Sequence, residues 1–308
     1  MLIDYLSLMW LPFLACLILT LIHGYLGLHV ISREVVFVDI ALAQVAALGS
    51  TAAYLVGSDL DTAVAYWMSL GFTLAGAAVF ALTRTRERRV PQEAVIGVVY
   101  AVSAAAAILL LDRAPHGVEQ IKAMLVGSLL TVTPSTVMKT AALYGVLGLF
   151  HWLARRPMFL ISTDPDEAHR RGLAVRWWDF LFYASFGVVV TSSVRIAGVL
   201  LVFAYLIVPA LAGVAWGTRW GSRLALGWSL SATVSLVGMG LSAYLDLPTG
   251  ATIVTLFGVA LAAAWAVMAL VRTASRPAAP GEPAELLPRR RPPPCSSSRG
   301  RPFSRSRR

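Results

Sequence analysis

Asp39 is the carboxylate that falls inside an apolar stretch of this 308-residue chain, and an ionisable group at bilayer depth marks a place where cations bind or pass. Burying it unpaired costs on the order of 3 kcal/mol, so Asp39 should face other helices or a wet cavity. Four residues on, where a second ligand would share its helical face, stands Ala43, and Gln44 follows one residue later. Five residues turn a regular helix by about 500°, leaving Asp39 and Gln44 about 140° apart, so only a π-bulge would let them share one ion. His23 and His29, six residues apart, lie on opposite faces and do not form a two-His pair. His116 stands near Glu119 in an outer loop where an entering ion would pass, and His151 sits near a span end. Asp39, Gln44, His23 and His116 are thus the side chains that could touch a passing cation, each with ordinary packing or hydrogen bonding as its rival role. Such a path must bind weakly, because an ion held by four strong ligands would not leave.

A second constellation occupies the loop Ser162-Thr-Asp-Pro-Asp-Glu-Ala-His-Arg-Arg-Gly-Leu173. Asp164 with Pro165 can cap and start a short helix, Asp166 and Glu167 suit its positive end, and His169, Arg170 and Arg171 suit its negative end, with Gly172 following. Taken alone, this is either a solvated loop between spans or a surface for a partner. The chain has no glycine-rich phosphate loop ending in Gly-Lys-Ser or Gly-Lys-Thr, so any ATP must be hydrolysed by another subunit. The carboxylates that ion-coupled transport needs within spans are scarce: Glu93, Asp179 and Asp246 lie near span ends, where such groups reach water.

The elements that must hold these residues are membrane spans. With 57% hydrophobic residues, 14% charged and a mean hydropathy of +0.71, the chain is an integral membrane protein. The expected fold is an all-α, polytopic bundle of about nine spans (8 to 10), near 8–30, 36–56, 64–83, 92–111, 136–154, 177–194, 197–216, 224–244 and 250–271. Residues 121–133 are too short to cross and should form a half-helix or extend the fifth span. If the amino terminus faces out, the inner loops carry twelve Arg, from Arg33 to Arg223, against four basic residues outside: Arg113, Lys122, Lys139 and Arg195. Residues 6–30 read as a retained first span, for the start lacks a basic region and a small-residue cleavage site. Residues 1–271 form the transmembrane domain. Residues 272–308 form a disordered Pro/Ser/Arg-rich tail whose ten Arg and two Glu suit anionic lipid headgroups better than nucleic acid. Cys16 and Cys295 imply neither a disulfide nor a thiolate metal site.

Two blocks carry a family resemblance. The segment from Leu26 through Asp39 to Gly49 resembles the opening of the permease subunits of bacterial ABC-type zinc, manganese and iron importers. The stretch from Asp164 to Arg176, then Val190-Thr-Ser-Ser-Val-Arg-Ile-Ala-Gly198 through Pro209 and Ala210, resembles them more closely, and Leu247-Pro-Thr-Gly250 closes the match. The departure is Ala43, where the family usually carries a His four residues after the Asp, so the metal path that the resemblance implies would run past Asp39, Gln44, His23 and His116. The resemblance implies a permease in the bacterial inner membrane, not itself an enzyme, that pairs as two copies and binds no permanent cofactor. Two cytoplasmic ATPase subunits would bring ATP, an extracytoplasmic binding protein would bring the divalent metal ion, and Asp164 to Leu173 would be the coupling helix. The readings left beside it are a permease for metal chelates of siderophore or cobalamin type, an ion-coupled secondary carrier and a membrane enzyme.

Overall fold

A computed structural model describes residues 2–58, 62–84, 90–112 and 125–274. Every regular element among them is helical. In chain order they are α1 (Leu2–Ser32), α2 (Val38–Leu55), α3 (Ala63–Thr83), α4 (Gln92–Leu111), a 3₁₀ turn (Leu129–Thr131), α5 (Pro134–Leu153), α6 (Arg155–Thr163), α7 (Pro165–Arg170), α8 (Val175–Trp216), α9 (Trp220–Leu245) and α10 (Thr249–Ala274). Local chemistry sets several starts: the Thr62 hydroxyl accepts from the Ala65 amide at the head of α3, and Thr133 does the same for Thr136 ahead of Pro134. The chain forms two compact units, Met1–Ala264 and Trp265–Arg308, of which the second is described only where it continues α10. The expected basic tail otherwise lies outside the described residues.

The expectation of nine spans is not met by counting helices. Seven are long and apolar enough to cross a membrane, and α5 with α6 makes an eighth only as a pair bent by 74°. The discrepancy lies in α8, where two expected spans are one run of 42 residues. Straight, that run would measure about 63 Å, twice a hydrocarbon core of about 30 Å. It breaks instead at Gly198, whose φ of 76° and ψ of 160° lie where only glycine sits without strain.

The packing partners show that direction reverses at this break. Along the first arm, Asp179 meets Arg33 at the end of α1, while Val189 and Ser192 meet Tyr144, which stands against His23 further back in α1. Along the second arm the order inverts: Tyr205 lies by Cys16, Ala210 lies by Gly27, and Trp220, just past the arm, packs on His29. The first arm is thus antiparallel to α1 and the second parallel to it. Residues 125–127 press against the break so closely that a Cβ on Gly198 would lie 2.5 Å from the Gly127 nitrogen and the Leu125 oxygen. The expected half-helix at 121–133 is, where described, a single turn and a 3₁₀ turn, with 121–124 outside the described residues. The Leu247–Gly250 motif closes the same end, where Ser242 Oγ donates to the Leu247 carbonyl at 2.6 Å.

Burial divides the helices by role. Phe182, Tyr183, Phe186 and Tyr205 of α8 are fully buried and form the centre of the core, whereas α4 and α5 expose Val98, Leu109, Val146 and Leu149. An apolar surface of that kind is what acyl chains cover.

Candidate coupling segment and metal path

The loop at Asp164 folds as its sequence requires. Asp164 accepts from the Glu167 amide at 2.9 Å and caps α7, with Pro165 at the first helical position. At the other end Gly172 takes a φ of 72°, its amide reaches the His169 carbonyl at 3.0 Å, and Leu173 reaches Ala168 at 3.1 Å. That pair of bonds is a Schellman stop, which satisfies carbonyls a helix end leaves open. Ala168 is buried against Ile161 and Val175, so the helix seats one small side chain and turns Asp166, His169, Arg170 and Arg171 outward. Glu167 accepts from Arg171 Nε at 2.8 Å and Arg170 Nε at 2.7 Å, and these bonds, Arg171 first, hold its carboxyl below the usual range.

The helix is short and exposed, but its flanks are bolted to the bundle. Ser162, two residues before the cap, accepts from Arg33 Nε at 2.8 Å, pairs with His29 Nδ1 at 2.8 Å and donates to the Met158 carbonyl. Asp179, in the first turns of α8, accepts from Arg33 Nη1 and Arg84 Nη1, both at 2.6 Å. Arg33 and Asp179 are fully buried at the side chain, and the Arg33 guanidinium lies 3.9 Å from the centre of the Phe182 ring. One arginine therefore ties both flanks of α7 to the α1–α2 elbow, and Arg84 brings in the end of α3. Sequence reading missed this cluster, because Asp179 so near a span end was expected to reach water. A carboxylate at 179 and arginines at 33 and 84, each at the margin of an apolar run, were the available signal.

The metal candidates are not brought together in this way. Asp39 lies in the first turn of α2, 1% exposed, and neither carboxylate oxygen has a hydrogen-bond partner. α2 runs as regular α-helix from Val38 to Leu55, so no π-bulge turns the half-buried Gln44 toward Asp39. His23 is fully buried on α1, with Nδ1 on the Leu19 carbonyl at 2.9 Å and its ring edge toward Tyr144. His29 and His151 are likewise buried, bonded to Ser162 and Ser185. His116 lies outside the described residues. Among the described residues, no three His, Cys, Asp or Glu side chains converge as a metal site. At the end of the bundle where α8 breaks, a polar cavity of about 680 Å³ is lined by Thr136, Lys139, Thr140, Ser192 and Arg195, among others, with no Asp or Glu among its described lining residues.

Comparison with known proteins places this arrangement. The model of the ABC 3 transport family matches residues 5–268. A "Probable iron transport system membrane protein" of Haemophilus influenzae is 26% identical over 200 residues, 63% of this chain and 71% of that protein. The "Manganese transport system membrane protein MntC" of Halalkalibacterium halodurans is 23% identical over 255 residues, covering 80% and 84%. Among solved structures, "PsaBC from Streptococcus pneumoniae in complex with Fab" superposes with a TM-score of 0.70 at 18% identity, over 85% of this chain and 94% of that one. An inward-facing "putative metal-chelate type ABC transporter" gives 0.62 at 20% identity, over 85% of each.

Proposed function

The chain belongs to the ABC 3 transport family, and from that membership we propose that it forms the channel of an ATP-driven importer of divalent transition metal ions, manganese, iron or zinc. It is a multi-pass membrane transport subunit and not the catalytic one. In this reading two copies pair in the bacterial inner membrane with two cytoplasmic ATPase subunits, and a binding protein outside delivers the ion. ATP reaches the system through the ATPase alone, and the metal is cargo. The bundle crosses nine times, since the antiparallel and parallel arms of α8 count as two crossings and the bent pair α5 and α6 as one. The end bearing Arg33, Arg84, Arg155, Arg170, Arg176 and Arg223 faces the cytoplasm, with the amino terminus outside and the carboxyl tail inside.

The observation that carries the reading is the attachment of α7. Its outward residues Asp164, Asp166, Glu167, His169, Arg170 and Arg171 are free to meet an ATPase groove, while Ser162 and Asp179 hold its flanks to Arg33. A push on α7 then moves the ends of α1, α3 and α8 together. Asp39 lies in the first turn of α2, six residues beyond Arg33, and its carboxylate is the leading candidate contact for the ion, near the inner end of the path. An entering ion would pass His116 at the outer side first, with Gln44 and His23 as separate contacts between.

An anionic metal chelate is the second reading, and Lys139 in the polar outer cavity favours it, since a fixed cation there attracts an anion, with no Asp or Glu among the described lining residues. Uptake into vesicles holding the chain, its ATPase and its binding protein tests both. ATP-dependent accumulation of free radioactive manganese, iron or zinc supports the first reading, and accumulation of the chelated metal alone supports the second. Uptake that ignores ATP overturns both.

A further inference from the structure

A cavity of about 1190 Å³ opens among α1, α5, α6 and α9 and plays no part in the proposed path. Its walls are apolar and aromatic, including Leu21, Gly145, Gly148 and Trp228. Leu21 and Trp152, both in its lining, are 52% and 59% exposed, so the cavity has an open side on the apolar flank of the bundle. Its inner rim carries Arg155 and Arg156 at the head of α6 and Arg171 at the end of α7. Among the described lining residues there is no Asp, Glu or Cys, and His29 and His151 each already pair with a serine hydroxyl. A metal ion finds no ligand set here, and the volume exceeds the roughly 300–1,000 Å³ of small-molecule sites.

The shape and charge fit an amphipathic anion. The Arg155 guanidinium lies 4.6 Å from the Trp152 ring centre and spends one donor on the Trp152 carbonyl at 3.3 Å, and Arg171 spends Nε on Glu167. A guanidinium has five donors, so both retain others in a geometry that suits phosphate oxygens. Basic pockets between helices at the cytoplasmic face are where anionic headgroups bind. We infer that this cavity binds an anionic phospholipid of the inner leaflet, its acyl chains between α1, α5 and α9 and its phosphate on Arg155 and Arg156. The headgroup would then sit between the α5–α6 bend and the end of α7. The inference rests on the proposed orientation but not on the coupling role of α7.

Native mass spectrometry of the purified chain, offered phosphatidylglycerol and phosphatidylethanolamine together without ATP, tests it. The wild type should retain phosphatidylglycerol under conditions that strip phosphatidylethanolamine. Arg155→Gln with Arg156→Gln should weaken that retention by roughly thirtyfold, the factor two basic side chains supply at a membrane surface. Gly148→Leu should lose lipid with the arginines intact; a Cβ at Gly148 meets nothing within 4 Å, so the new side chain starts into the open space of the cavity. Equal retention of the two lipids by the wild type, or unchanged phosphatidylglycerol on either variant, overturns the site. So does a disulfide-linked dimer from Gly148→Cys, which would put a second copy of the chain on this face.

Discussion

The two ends of the bundle are held by different chemistry. At the end beside α7 a buried carboxylate, Asp179, is shared by Arg33 and Arg84 at 2.6 Å each, with Ser162 and His29 completing the cluster. At the opposite end, where α8 breaks, the contacts are backbone against backbone, Gly127 on Gly198 and Ser128 N to the Ile196 carbonyl at 3.1 Å, with threonine caps around them. Charge-assisted bonds in a dry interior fix one geometry and fail abruptly when a partner is lost. Glycine contacts instead let two segments cross closely without tying them by side chains. The end beside α7 ties several helices together, so that under the proposed coupling role a displacement of α7 would move them at once, and the other end lets α8 turn back on itself.

Removing the shared carboxylate should break the comparison most severely. Asp179→Ala leaves Arg33 buried without its anion, a loss of about 3–5 kcal/mol, and thermal unfolding in detergent should show the assembled protein largely gone. Next comes Gly198→Ala, which forces a non-glycine residue into a glycine-only region at about 1–3 kcal/mol and drives a Cβ into the Gly127 nitrogen. It should lower the unfolding midpoint clearly but less than Asp179→Ala; a midpoint as high as the wild type's would mean that the turn is not tight.

Asp39→Asn sharpens the distinction between holding the fold and passing cargo. The side chain makes no hydrogen bond that the change would remove, so stability should hold while metal uptake falls, and unimpaired uptake removes Asp39 from the path. The smallest effect belongs to Glu167. Its carboxyl is held low by Arg171 and Arg170, so its contribution is present above the ordinary carboxylate value and is lost as pH falls through the lowered one. Glu167→Gln should therefore leave the pH dependence of unfolding unchanged near neutrality and alter it only in acid, and only slightly because the pair is exposed.

How much of this was legible in the sequence differs from element to element. Apolar run length placed the helices within a few residues, because a bilayer requires about 20 residues per crossing. The cap at Asp164, Pro165 and the stop at Gly172 were readable because local bonds decide them. That the two expected spans of α8 meet at the single residue Gly198 was not, since a glycine between two apolar runs reads equally as a loop. The Arg33–Asp179–Arg84 cluster was missed for a different reason: its members are 146 and 95 residues apart, and only tertiary packing makes them neighbours. Asp39 was legible as a buried carboxylate from its position, whereas its relation to Gln44 needed the regular geometry of α2.

The most direct measurement is ATP-dependent metal uptake by Asp166→Lys with Glu167→Lys, in vesicles that hold the ATPase and the binding protein. Asp166 is exposed, and the half-buried Glu167 bonds through its side chain only to Arg170 and Arg171 of the same segment, so the variant should insert and assemble. The account predicts that its uptake collapses while the bundle unfolds at the wild-type temperature. Wild-type uptake in that variant would contradict the assignment of α7 as the segment that receives the ATPase stroke.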